Sequence, residues 1–308
     1  MVIPTYERRE WLPRILRPLL SEPAAHEVVV VVDGARDGSL ELLQQMARDD
    51  DRVAPVFIEN RGEGGAREAG VERATGDVVL LLDDDVEAEP GLVEGHARHH
   101  AEREDLVVIG YMPPVLNGAF TARLYGEAYE GRCDQYEADP DGVLLNLWAG
   151  NISLRREQCL RIGLSSDAFT ERYHPDREFG LRCREAGLTG VFDRSLRARH
   201  HYRRTLDQFI RDSRSQGAAG TLIHRLHPEL AGELPEDRFK RRLPAPAAAL
   251  VDVCRRPRAA ALTAASLRRL VQAGDALHAE PLEVNAARLL RRVEQQRGAI
   301  VAAQGERR

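Results

Sequence analysis

The chain has 308 residues, 43% of them apolar and 30% charged, with 44 Lys and Arg against 49 Asp and Glu for a net charge of -5. That length supports a sizeable core, and the slightly acidic balance argues against wholesale nucleic-acid binding. No apolar run approaches the roughly 20 residues of a membrane span, the N-terminus carries no signal-peptide pattern, and Cys133, Cys159, Cys183 and Cys254 form no CxxC pair, so a cytoplasmic protein with reduced thiols is expected.

A short apolar start, Met1–Pro4, precedes the helical spacing of TYERREWLPRILRPLL. EVVVVVDG, residues 27–34, is a continuous β-branched run that stops at Asp-Gly, the pattern of a buried parallel strand. SLELLQQMARD predicts a helix with Ser39 as N-cap, VAPVFIEN a third strand, GGAREAGVERATG a helix ending at Gly76, and DVVLLL a fourth strand. The alternation predicts an α/β fold, a parallel sheet covered by helices on both faces, with ligands held outside the carboxyl ends of its strands. Residues 113–150 carry scattered Gly, Pro and Tyr and predict no secure element. REFGLRCREAG reads as a helix closed by Gly187, and TLDQFIRDSRSQGAAGTLIHRL as another. From about Pro244 the composition turns to Ala, Leu and Arg, which predicts two or three amphipathic helices up to about Ala302.

Strand and charge collide in VVLLLDDDVE, where the fourth strand runs into Asp83, Asp84 and Asp85. A solvated turn is the bland reading. Against it, the strand is predicted to be central, and a second acidic turn, VVDGARDGS, ends a neighbouring one. Alternate residues of an extended chain project alike, so Asp83 and Asp85 are expected to converge as a hard-oxygen site for Mg²⁺ or Mn²⁺. GEGGAREAG invites comparison with a dinucleotide-binding fingerprint, but Arg67 stands where its third glycine is required, and the motif follows the third strand. His96, His99 and His100 have helical spacing, and their Glu, Arg and Ala neighbours predict a solvated face instead of a chelate. Lys240, Arg241, Arg242, Arg255, Arg256 and Arg258 read as a solvated helix surface or as a weak dock for an anionic membrane.

Four stretches together carry a family resemblance: VIPTYERREWLPRILRPLL, VVVVDGARDGS, NRGEGGAREAGVERATGDVVLLLDDDVEAEPGLV and LWAGNISLRREQCLRIG followed by YHPDREFGLRCREAG. In this order and spacing they resemble a family 2 glycosyltransferase of GT-A fold, over roughly Met1 to Gly220. The resemblance implies a mostly parallel Rossmann-like sheet sandwiched by helices. It also implies sugar transfer from a nucleotide diphosphate to a hydroxyl or amine, with a divalent cation. The expected organisation is a glycosyltransferase domain at 1–220, with a nucleotide-binding half (1–112) and an acceptor and catalytic half (113–220). A helical extension follows at 221–308.

Carried onto this chain, the resemblance gives Pro4, Thr5 and Tyr6 as the border of the nucleotide and Asp33 as acceptor from a base ring N–H, which suits uracil, thymine or guanine. Arg67 is expected near the base, ribose or phosphates. Asp83 and Asp85 form the outer pair of a DxD motif, with Asp85 the direct metal ligand and Asp84 between them on the nucleotide-sugar side. Trp148, Gly150 and Asn151 line the donor-sugar and acceptor side. His200, more than His201, fits the place of a histidine that completes the metal shell. Asp176 takes the place of the catalytic base, although Pro175 precedes it where the family carries an acid. Glu178 is the fallback, and a helix N-cap is the plain alternative for Asp176. The acceptor is left open among lipid-linked, glycan and small-molecule classes, with weak contact to the inner face of a membrane as an added expectation. A sugar nucleotidyltransferase and a non-catalytic nucleotide-sugar binder are the rival readings.

Overall fold

In the computed structural model, which describes residues 1–23, 27–166, 169, 175–228 and 245–305, the five valines of β2 (Val28–Asp33) are fully buried. Strand β2 lies between β1 (Val2–Thr5) and β3 (Val53–Ile58), both parallel to it, and β1 also pairs in parallel with β4 (Val78–Leu82). Side chains buried on both faces explain why these strands read as unbroken apolar runs.

Beyond β4 the sheet changes character. The remaining strands are β5 (Val86–Ala88), β6 (Leu106–Tyr111), β7 (Asn151–Arg155) and β8 (Thr189–His200), and the eight stand in the order β3-β2-β1-β4-β7-β6-β8-β5. Strand β7 runs antiparallel to β4 and β6, and β5 runs antiparallel to β8, while β6 and β8 are parallel. The sheet is therefore mixed but mostly parallel, as expected, with the antiparallel pairings confined to β7 and β5. The reversal has a functional result. Leu82 pairs with Asn151, so the residues entering β7 arrive at the edge where β1, β2 and β4 end.

Helices flank the sheet: α1 (Leu12–Leu20), α2 (Ser39–Asp49), α3 (Gly62–Arg73), α4 (Leu92–His99), α5 (Phe120–Ala138), α6 (Arg156–Ile162) and α7 (Pro175–Glu185). Helix α1 begins later than its spacing predicted, leaving Tyr6–Trp11 as a loop over the strand ends. Ser39 is not the N-cap of α2. Gly38 holds that place, and Asp37 accepts from the Ser39 N–H and hydroxyl. Gly187, left-handed at φ 84, closes α7 as expected, with the Leu188 N–H reaching the Cys183 carbonyl. Residues 113–150, unassigned from sequence, hold α5 and two short 3₁₀ turns at Pro140–Gly142 and Leu144–Asn146.

The chain divides into two compact units, Met1–Val115 with Tyr129–Ala168 and Asp176–Tyr202, and Leu116–Ala128 with Phe169–Pro175 and Arg203–Arg308. The boundary expected near residue 220 falls inside α8 (Leu206–Leu226). Among the described residues the second unit is helical. Alongside α8 it contains α9 (Ala245–Val253), α10 (Pro257–Ala276) and α11 (Glu280–Gly305), where two or three helices were expected after Pro244. Its core gathers Phe209, Cys254, Leu267, Val271, Leu290 and Val293. Lys240, Arg241 and Arg242 lie outside the described residues. Among the described residues no helix is long and apolar enough to cross a membrane.

Candidate active site

The acidic turn lies at the carboxyl edge of the first unit. Asp83, Asp84 and Asp85 follow β4 and bend back, with the Val86 N–H donating to the Asp83 carbonyl. The alternation of an extended strand therefore does not apply, and the three side chains part company. Asp83 meets Arg67 of α3, with Nη2 to Oδ1 at 2.6 Å. Asp84 accepts from the Thr5 hydroxyl at 2.8 Å and faces Arg8 Nε at 3.8 Å. Asp85, only 7% exposed, has Arg8 Nη2 at 3.2 Å from Oδ2 and His200 Nε2 at 3.3 Å from Oδ1. Loss of water, then the charge of Asp85, pushes the Asp84 carboxyl up to about 7. Like charges are stacked here because guanidinium and imidazole groups surround them.

Arg67 organises the other side. It is 6% exposed and reaches Glu63 at 2.7 Å, Asp83 at 2.6 Å and Asp176 at 3.4 Å. Asp176, the second residue of α7, also accepts the Ala149 N–H at 3.1 Å. Burial raises the Asp176 carboxyl above its ordinary range, and Arg67 and the Ala149 N–H offset that shift in part. Next along the chain, the Gly150 carbonyl accepts the Asp83 N–H at 3.2 Å. A Cβ on Gly150 would stand 2.7 Å from Asp83 Oδ2, so only glycine lets the strand entry come this close. Trp148 is half-buried, its ring edge-on to Tyr129 at 5.2 Å.

Other residues named from the sequence lie nearby with different partners. Pro4 and Thr5 are buried in β1, and Tyr6 beyond them is 49% exposed. Asp33, at the end of β2, accepts the Arg61 N–H at 2.7 Å and so fastens the turn into α3. His200 faces Asp85, whereas His201 faces Glu87, which also binds Arg14 and Arg199.

Three expectations are corrected. Glu178 does not stand by as a base, because Arg182 Nε holds both its oxygens at 2.9 and 3.0 Å and the carboxylate is buried. Asn151 does not line the cleft. It is fully buried, donating to the Leu196 carbonyl while its Oδ1 meets His96 Nε2 at 3.0 Å. The same network overturns the solvated face assigned to the histidines. His96 and His100 are each 1% exposed, and both touch Ser153 Oγ at 2.8 Å, while His99 pairs with Asp193. Burial lowers His96 to about 3 and His100 to about 4.

Arg8 and Glu63 were missed. A helix predicted straight after β1 concealed the Arg8 loop, and Glu63 had a legible signal in its i, i+4 spacing to Arg67.

Comparison with known proteins adds five findings. The family model described as Glycosyl transferase family 2 matches residues 1–159. The uncharacterized glycosyltransferase YfnE of Bacillus subtilis (strain 168) is 24% identical over 250 residues, 65% of this chain and 64% of its own length. The undecaprenyl-phosphate 4-deoxy-4-formamido-L-arabinose transferase of Pseudomonas syringae pv. syringae (strain B728a) is 41% identical over 96 residues, 29% of this chain and 28% of its own. The chain thus spans less than two thirds of these curated relatives. Among solved structures, the mannosyltransferase PcManGT from Pyrobaculum calidifontis, in complex with GDP-Man and Mn²⁺, superposes with a TM-score of 0.60 at 16% identity, covering 96% of this chain and 85% of its own. S. aureus TarS 1-349 in complex with UDP-GlcNAc gives 0.52 at 15% identity, covering 99% and 91%. At such identities the likeness shows the fold, which is GT-A-like.

Proposed function

This chain belongs to glycosyl transferase family 2, and from that premise we propose that it moves a sugar from a nucleotide diphosphate to an acceptor hydroxyl or amine, with Asp176 as base. The observation that carries the proposal is Arg67, one buried guanidinium shared by Asp83 of the acidic turn and Asp176 of α7. It sets the acid that faces the donor beside the acid that takes the acceptor's proton. A carboxyl raised by burial is a better base than a solvated one, and one carboxylate within reach of the proton suffices. The attack is a single displacement with inversion, as the family resemblance implies. Asp33, Thr5 and Tyr6 border the nucleoside, with Trp148 and Gly150 on the sugar side.

The donor set at Asp85 suits a divalent cation. A carboxylate oxygen and an imidazole nitrogen lie 3.3 Å apart, a pairing compatible with Mn²⁺ and, for the oxygen, Mg²⁺. Among the described residues no three His, Cys, Asp or Glu side chains surround one point, so donor phosphate oxygens would supply the rest of the shell. Asp85 and His200 would hold the ion, while Asp83 already gives one oxygen to Arg67. When bound, such an ion neutralises charge on a departing nucleoside diphosphate.

For the donor, the solved relatives carry GDP-Man and UDP-GlcNAc, which supports a nucleotide-sugar class without choosing a base. A lipid-phosphate acceptor is our reading from the name of the undecaprenyl-phosphate relative. Exposed Arg255, Arg256 and Arg258 at the start of α10 would add weak contact with an anionic surface, at about 1 kcal/mol per arginine.

A thermal-shift panel of UDP-, GDP- and dTDP-sugars with and without Mn²⁺ tests donor binding, since a specific ligand raises the melting temperature. In the same assays Asp176→Asn should keep the ligand-induced shift while transfer falls about 10²–10⁴-fold. Unchanged transfer in that variant would remove Asp176 from its role.

A further inference from the structure

We infer that Arg8 competes with a divalent cation for Asp85, so that the cation binds there more tightly once a donor diphosphate draws Arg8 away. This rests on the donor reading of the site just given. Arg8 spans two of the three aspartates, 3.2 Å from Asp85 Oδ2 and 3.8 Å from Asp84 Oδ1. The other oxygen of Asp85 faces His200. A metal ion brought to that carboxylate would meet the guanidinium at ion-pair range, where water is scarce and repulsion strong. Both positive groups cannot use Asp85 fully at once.

The local backbone says which part of Arg8 gives way. Glu7 adopts a left-handed φ of 53, the Arg9 N–H donates to Asp37 at 3.0 Å, and the Arg8 carbonyl accepts from Trp11 and Leu12. The loop is pinned on both sides of residue 8. The Arg8 side chain is 31% exposed against 10% for Asp85, so the guanidinium can swing outward while the carboxylate stays. A diphosphate offers it a forked oxygen partner of the same sign as the one it leaves. Cation and nucleotide therefore bind with positive coupling, and linkage makes that coupling reciprocal.

Titration of the full chain with Mn²⁺, read by the electron paramagnetic resonance of the free ion, tests this with no nucleotide, with UDP and with GDP. Arg8→Gln should bind Mn²⁺ alone about tenfold more tightly than the native chain, and the gain on adding nucleotide should shrink by a similar factor. Arg8→Lys, which keeps the charge, should stay near the native behaviour. Melting curves identify any variant that fails to fold, and Arg8→Met then serves in its place. Equal or weaker Mn²⁺ binding by the Arg8→Gln chain overturns the competition while leaving the donor reading intact. Should no form bind Mn²⁺ even with nucleotide, the cation at Asp85 and the competition for it both fall.

Discussion

Arg67 is a buried charge whose value depends on its three acids. Removing it would leave Asp83 and Asp176 close together with little water to screen them. Arg67→Ala is therefore expected to cost about 3 kcal/mol of stability, measured by urea denaturation, because breaking a buried pair leaves uncompensated charge. Arg67→Lys should recover only part, since one ammonium cannot fork between two carboxylates. Equal stability of all three forms would show that the acids are held by other means. At this scale the sequence told residue types better than partners. The acidic turn, Arg67 and Asp176 stood out through chemistry and motif spacing. Glu178, the fallback base, had its occupant announced by the i, i+4 spacing to Arg182, whereas nothing near Asn151 in the chain announced His96, some fifty-five positions away. Arg8 was hidden by a boundary error, which moved a loop residue onto a helix.

Helices α8 and α11 cross where neither has room for a side chain. A Cβ on Gly217 would stand 1.8 Å from the Gln295 carbonyl oxygen, and one on Gly298 1.9 Å from that of Arg214. These are backbone obstacles, so Gly217→Ala forces the helices apart and should cost about 3 kcal/mol by thermal or urea unfolding of the full chain. An unaltered midpoint would mean the crossing is loose. The helices themselves were legible. Thr205 and Gln208 form a reciprocal capping box at the start of α8, and apolar residues recur along α10 at 260, 264, 267, 271 and 274. Helix α5 was not, because its buried residues serve two cores, Leu124 in one and Tyr136 in the other, and no single stripe runs its length. The reversal at β7 was equally invisible. Strand direction depends on a partner some seventy positions away, as in Val79 against Leu154.

Across the whole molecule, the neutral histidine network links folding to acidity. His96 is lowered from 6.5 to about 3, and His100 to about 4, chiefly by burial. As pH falls below 6.5 the unfolded chain takes up protons that the folded chain refuses until about pH 4 or lower. Stability should therefore decline with acidification across that window, by up to about 1.4 kcal/mol per pH unit for each histidine. Urea midpoints at several pH values measure the slope, and His96→Gln should flatten it. A slope untouched by that change would assign the acid sensitivity elsewhere. One last property follows from Ala149 and Gly150, adjacent peptide groups that tether Asp176 and Asp83 respectively. The two aspartates are thus moored to one dipeptide, so reshaping it would drag both at once.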